Sequence, residues 1–169
     1  MEGVDRFRTM FDAWPERTMW IVAVDLHSGQ RVVFGRDVRP RVAEAVAASC
    51  AVPGYYAPVT IEGRQYVDGG AWSIVSLDLL ADQDLDLVIV SAPLSTTDWV
   101  APDPGNAARV PLRLQLQRER RRIPGRVVVV APDARMRAVM GTNSMSAAKR
   151  APVAQAAQEY ATAVFRRLL

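Results

Sequence analysis

Short runs dense in β-branched side chains, separated by stretches of helical composition, constrain this chain more than any other feature. Trp20-Ile21-Val22-Ala23-Val24-Asp25-Leu26 reads as a buried strand, because branched and aromatic side chains suit a pleated surface. His27-Ser28-Gly29-Gln30 supplies a turn, and Arg31-Val32-Val33-Phe34 reads as the returning strand. Pro58–Ile61 and Arg64–Val67 flank Glu62-Gly63, which is a hairpin signal. Leu87–Val90 and Arg126–Val130 are two further strands of the buried type.

Between them lie candidate helices. Arg41–Cys50 is rich in alanine and is stopped before Pro53. Ser76–Ala81 suits a short helix. Pro102–Gly105 reads as a loop. Arg109–Arg122 has strand-like alternation at Val110, Leu112, Leu114 and Leu116, but its Leu, Gln, Arg and Glu content favours a helix started by Pro111. Val153, Ala156, Tyr160, Val164 and Leu168 recur at helical spacing after Pro152. Strands alternating with helices predict an α/β domain whose helices cover a mainly parallel sheet. No repeat, low-complexity segment or linker divides it, so residues 1–169 read as one domain or part of one.

Half of the residues are hydrophobic, enough for a real core, and the formal net charge is only +3. Cys50 is the sole cysteine, which excludes an intrachain disulfide and any cysteine-based metal site. Met1–Arg6 shows no apolar segment behind a basic start, and no apolar run approaches a membrane span. The expectation is a cytoplasmic protein. Phosphate-binding glycine loops are absent, which sets aside a nucleotide-binding module. Arg118, Arg120, Arg121 and Arg122 form a basic run without interleaved aromatics. It reads as a solvated helix end rather than a surface for anionic phospholipid headgroups or nucleic acid.

The chemically informative stretch is Ala45–Gly70. Ser49, Ala51, Pro53, Tyr56 and Pro58 precede the hairpin, whose second strand ends Tyr66-Val67-Asp68-Gly69-Gly70. An aspartate acting as base needs a fixed direction, and a strand end followed by glycines provides it. Asp-Gly turns are common, so Asp68-Gly69-Gly70 alone reads first as a turn; the ordered combination reverses that reading. It resembles the patatin-like phospholipases, and the flanks Val22–Asp25, Gly29 and Leu87–Val90 look similar too.

That resemblance implies a three-layer α/β/α domain that hydrolyses lipid acyl esters. The implied chemistry is a Ser–Asp dyad without metal or organic cofactor, with Asp68 as proton acceptor supported by Gly69 and Gly70. The implied partner is a lipid or acyl-ester substrate, with peripheral membrane contact as a secondary expectation and no nucleic acid. Two departures stand out. None of the serines, at 28, 49, 73, 76, 91, 95, 144 and 146, lies in a G-x-S-x-G elbow, and no oxyanion-type glycine loop occurs. In addition, Ser73-Ile74-Val75-Ser76 stands where many relatives carry asparagine and proline. The chain therefore reads as the C-terminal part of such a domain, truncated on its N-terminal side, with no nucleophile of its own. Its alternatives are a non-catalytic pseudoenzyme and a fragment that needs a separate N-terminal half.

The remaining candidates have simpler readings. His27 is expected in solvent at a turn, and Cys50 in the core. Tyr55 and Tyr56 either line the acyl pocket or cap the core beneath the hairpin. The C-terminal helix is expected to close the sheet, with presentation of Phe165, Leu168 and Leu169 to a membrane as the other option.

Overall fold

The computed structural model describes residues 13–96, 109–141, 143 and 146–166. Pro102–Gly105, Leu168 and Leu169 lie outside the described residues. The chain divides into two compact units, residues 1–76 and 77–169.

In the first unit, β1 (Ile21–Asp25), β2 (Arg31–Phe34), β3 (Val59–Ile61) and β4 (Arg64–Asp68) form one sheet in the order β2-β1-β4-β3. Every pairing in it is antiparallel, which corrects the expectation of a mainly parallel sheet. For two of the three pairings the cause is local. The β1–β2 and β3–β4 connections are too short for a crossover, so β2 returns beside β1 and β4 beside β3. At the tip of β3–β4, Glu62 and Gly63 both take positive φ, 50° and 79°, the geometry of the tight hairpin turn.

Helix α1 (Val42–Ser49) joins β2 to β3 and packs on β1, β3 and β4. Its start is held by the Arg41 N–H donating to the Glu44 carboxylate at 3.2 Å. The buried alanines 43, 45, 47 and 48 let the helix approach the sheet closely. The core comprises Ala23, Phe34, Ala45, Ala48, Ile61 and Tyr66, with Phe34 and Tyr66 edge to face at 5.2 Å.

In the second unit, β5 (Leu87–Ser91) and β6 (Arg126–Val130) pair in parallel from Leu87↔Arg126 to Ser91↔Val130. Helix α2 (Arg109–Arg120) lies between them in sequence, as a parallel connection requires. The helical reading of 109–122 thus holds, and Arg118, Arg120, Arg121 and Arg122 are exposed at its end. The short helix read at 76–81 is a 3-10 turn, Leu77–Leu80, whose Leu77 N–H donates to Glu119 at 2.7 Å.

Helix α3 (Ala134–Met140) was not anticipated from the sequence. Asp133 accepts from Met136 N–H at 2.8 Å at its start, and Gly141 ends it at φ 67°. Helix α4 (Arg150–Arg166) follows a 3-10 turn at Ala147–Lys149. It buries no residue fully and packs chiefly on α3, so it does not close the sheet as expected.

Candidate functional site

Asp68 is the last residue of β4, aligned opposite Ala23 in the middle of β1. Its backbone N–H donates to Ala51 O at 3.0 Å, tying the strand end to the segment that leaves α1. Its Oδ1 accepts from Gly70 N–H at 2.6 Å as the chain turns into the 3-10 turn Gly69–Ala71. Charge-assisted bonds of this length hold a carboxylate in one orientation. Among the described residues Oδ2 has no partner, which leaves one acceptor oxygen on a half-buried carboxylate.

The two glycines act differently. A Cβ on Gly69 would strike the Val22 carbonyl oxygen and lie 2.8 Å from its carbon, so the turn can lie against β1 only without a side chain. A Cβ on Gly70 would meet Asp68 Oδ1 at 2.8 Å. Gly70 therefore leaves open the space in which the carboxylate reaches its N–H. Both lie in the 3-10 turn that directly follows Asp68. After the loop, the Ser73 hydroxyl accepts from Ser76 N–H at 2.9 Å, and Ser76 takes φ 45°.

The flanking candidates fall out differently from their readings. Tyr55 and Tyr56 are 82% and 58% exposed, so they do not cap the core. Cys50 is exposed rather than part of the core, because α1 has already ended at Ser49 and the chain turns outward. Desolvation of the sulfur first, and the nearby Asp68 carboxylate second, push its thiol above the ordinary range. His27 is exposed at its turn, as read.

One residue carries more than sequence reasoning assigned to it. Asp25 is buried at the end of β1. Its Oδ1 accepts from His27 N–H at 3.1 Å, Ser28 N–H at 2.8 Å and Ser28 Oγ at 3.0 Å; its Oδ2 accepts from Arg64 Nε at 2.8 Å. The Ser28 N–H is the leading cause that lowers its pKa to about 2, with the Ser28 hydroxyl and Arg64 adding to it against desolvation. Asp25 thus holds the β1–β2 turn and the start of β4. A carboxylate ending a run of branched apolar residues, two and three positions before turn donors, was the available signal.

Among the described residues, no three histidine, cysteine or acidic side chains cluster to hold a metal, and no helix is long and apolar enough to cross a membrane.

Residues 4–81 match the patatin-like phospholipase family. Over those residues the chain is similar to that family. The matched span contains β1 through β4, α1, Asp68 and the two glycines that follow it. The match ends within a residue of the 3-10 turn at Leu77–Leu80, so the flank at Leu87–Val90 lies outside it.

Proposed function

We propose that this chain supplies the aspartate of a patatin-like lipid acyl hydrolase, with Asp68 as the base toward a serine that the chain itself does not contain. The observation that carries the reading is the Asp68 carboxylate: one oxygen bound by Gly70 N–H, the other open, at a strand end within the patatin-like span. In the reaction so assigned, the open oxygen takes the serine hydroxyl proton as the serine oxygen attacks the ester carbonyl. The alkoxide leaves with a proton, and water then hydrolyses the acyl-serine through the same carboxylate.

The proposed whole is a three-layer α/β/α domain in which the elbow serine and oxyanion donors come from a region N-terminal to the aspartate. Without them the chain is inactive, since losing one oxyanion donor alone costs on the order of 10²–10³ in rate. Lipid or another acyl ester is the substrate. Tyr55 and Tyr56, exposed beyond the Ala51 carbonyl that holds Asp68, are assigned to the acyl chain or a membrane surface. A cytoplasmic, peripherally membrane-associated protein is consistent with this chemistry.

The test is a fusion of this chain to the elbow-bearing N-terminal part of a patatin-like relative, assayed on a short-chain nitrophenyl ester. Esterase activity that falls on the order of 10²-fold or more in Asp68→Asn supports the assignment. An active fusion indifferent to Asp68→Asn overturns it. A folded fusion without activity favours the second reading, a pseudoenzyme, for which the missing elbow is the specific observation.

A further inference from the structure

One face of the parallel pair in the second unit is open along β5. Val88 and Val90 are buried, whereas Leu87 and Ile89, on the other face, are 50% and 54% exposed. Leu85, just before the strand, is exposed too. Parallel strands ordinarily have both faces covered. Here β6 does: Val128, registered beside Ile89, is buried. Among the described residues β5 pairs with β6 alone, so its open face lies at a sheet edge.

The approach to that face is acidic. Asp82, Asp84 and Asp86 are exposed in the segment that enters β5, with Arg126, registered beside Leu87, as a cation against these three. The segment is held in place. A Cβ on Gly125 would strike the Leu85 carbonyl oxygen, and Arg126 N–H donates to Asp86 O at 2.9 Å.

Helix α2 carries the complement. Leu114 is half exposed, Arg118 follows it by four positions on the same helical face, and Arg120, Arg121 and Arg122 complete a run of exposed cations. The helix dipole accounts for cations at that end, but not for an apolar face and three acids left open nearby in sequence. Among the described residues no ion pair engages any of these acids or any of these four arginines. The spacings agree. Four helical residues rise about 6 Å and two strand residues about 7 Å. A helix laid along β5 with Leu114 over Ile89 therefore brings Arg118 level with Leu87, and the arginines after it to the acids.

We propose that the chain forms a two-fold dimer in which α2 of each copy lies on β5 of the other. Leu114 meets Leu87 and Ile89, and the arginines ending α2 meet the acids before β5. A contact between two different surfaces closes when a two-fold axis makes it twice. Apolar burial supplies most of the attraction, while the exposed charges set register and exclude other pairings. The dimer does not rest on Asp68 or on ester hydrolysis, so it stands or falls apart from the proposed function.

Sedimentation equilibrium of the full chain should show monomer and dimer, with a dissociation constant on the order of 10 µM for so small an interface. Raising salt from about 0.1 M to about 1 M shortens the screening length from about 10 Å to about 3 Å and should weaken the dimer. Leu87→Thr/Ile89→Thr keeps strand-forming side chains and should weaken it at least about tenfold. Arg118→Glu/Arg121→Glu and Asp82→Lys/Asp86→Lys should each be monomeric alone, because like charges then face each other. Mixed in equal amounts they should dimerise again: glutamate on α2 meets lysine before β5 in one contact, and the native charges meet in the other. Circular dichroism checks the fold of each variant; should a charge variant fail to fold, the salt dependence and the threonine variant decide. A chain that stays monomeric at about 200 µM, or assembles beyond a dimer, overturns the proposal. So does a dimer indifferent to Leu87→Thr/Ile89→Thr, or a mixture of folded charge variants that remains monomeric. Capture of the monomer by phosphatidylglycerol vesicles without self-association overturns it as well.

Discussion

Replacing Gly69 by alanine tests the packing that sets the aspartate loop against β1. The added methyl would fall on the backbone of Val22, inside contact distance of its carbonyl oxygen and 2.8 Å from its carbon, with the Val22 side chain at 3.1 Å. These atoms cannot swing aside. Val22 pairs with Val33 on one side, and its neighbour Ala23 pairs with Asp68 on the other. Relief requires the strand and loop to part by several tenths of an ångström, and such overpacking costs about 1–3 kcal/mol. The backbone obstacle puts Gly69→Ala near the upper end. Two other glycines calibrate it. Gly63→Ala meets no atom within 4 Å but must hold φ 79°, a strain of about 1 kcal/mol. Gly70→Ala meets side-chain ends, Asp68 Oδ1 and Ile74 Cδ1, which can rotate away, so its cost to stability should be less than about 1 kcal/mol. Urea denaturation followed by tryptophan fluorescence measures all three. At about 2–4 °C per kcal/mol for a chain of this size, Gly69→Ala should also show the largest fall in Tm. A Gly69→Ala protein within about 0.5 kcal/mol of the parent, or more stable than Gly70→Ala, would refute the reasoning.

Three further outcomes follow from the same unit. Asp25 has a folded pKa of about 2 against an ordinary 3.8, so its contribution is present above the higher value and is lost as pH falls toward the lower. Asp25→Asn should therefore flatten the decline of stability between about pH 4 and pH 2, and an unchanged slope in acid denaturation would contradict this. Phe34→Ala, at a fully buried position against Tyr66, should cost about 3–5 kcal/mol by chemical denaturation. Because desolvation and then Asp68 raise the Cys50 thiol, it should alkylate more slowly with iodoacetamide at neutral pH than a free thiol. Asp68→Asn should speed that alkylation by removing one of the two causes, and an equal rate would count against their proximity.

The hairpin at Glu62-Gly63 was legible because one dipeptide determines both the turn and the antiparallel return. The end of α1 before Pro53 and the helical character of Arg109–Arg120 were legible for similarly local reasons. The parallel direction holds for β5 and β6 but not for the first unit, where the alternation of strands with helices was weighed above the length of the connections. Helix α3 escaped notice because seven residues carry little periodic signal, leaving only Asp133 and Gly141 to mark its ends. The place of Asp68 at a strand end was legible from Tyr66-Val67 before it and the glycines after it. The exposure of Cys50, Tyr55 and Tyr56 could not be read, because composition does not say which way a segment leaves the end of a helix.

The Asp25 clamp also bears on how this sequence can change over time. One carboxylate serves the backbone of a turn, the hydroxyl of Ser28 and the guanidinium of Arg64, 39 positions further along the chain. Losing Asp25 first would leave Arg64 without its counter-ion and the turn without its acceptor, whereas losing Ser28 or Arg64 first removes only part of the set. Substitutions at these three positions should therefore be ordered in ancestry, with 64 and 28 free to drift before 25 and seldom after it. Descendants that keep the aspartate should vary at its partners, and those that lack it should have rebuilt the β1–β2 turn.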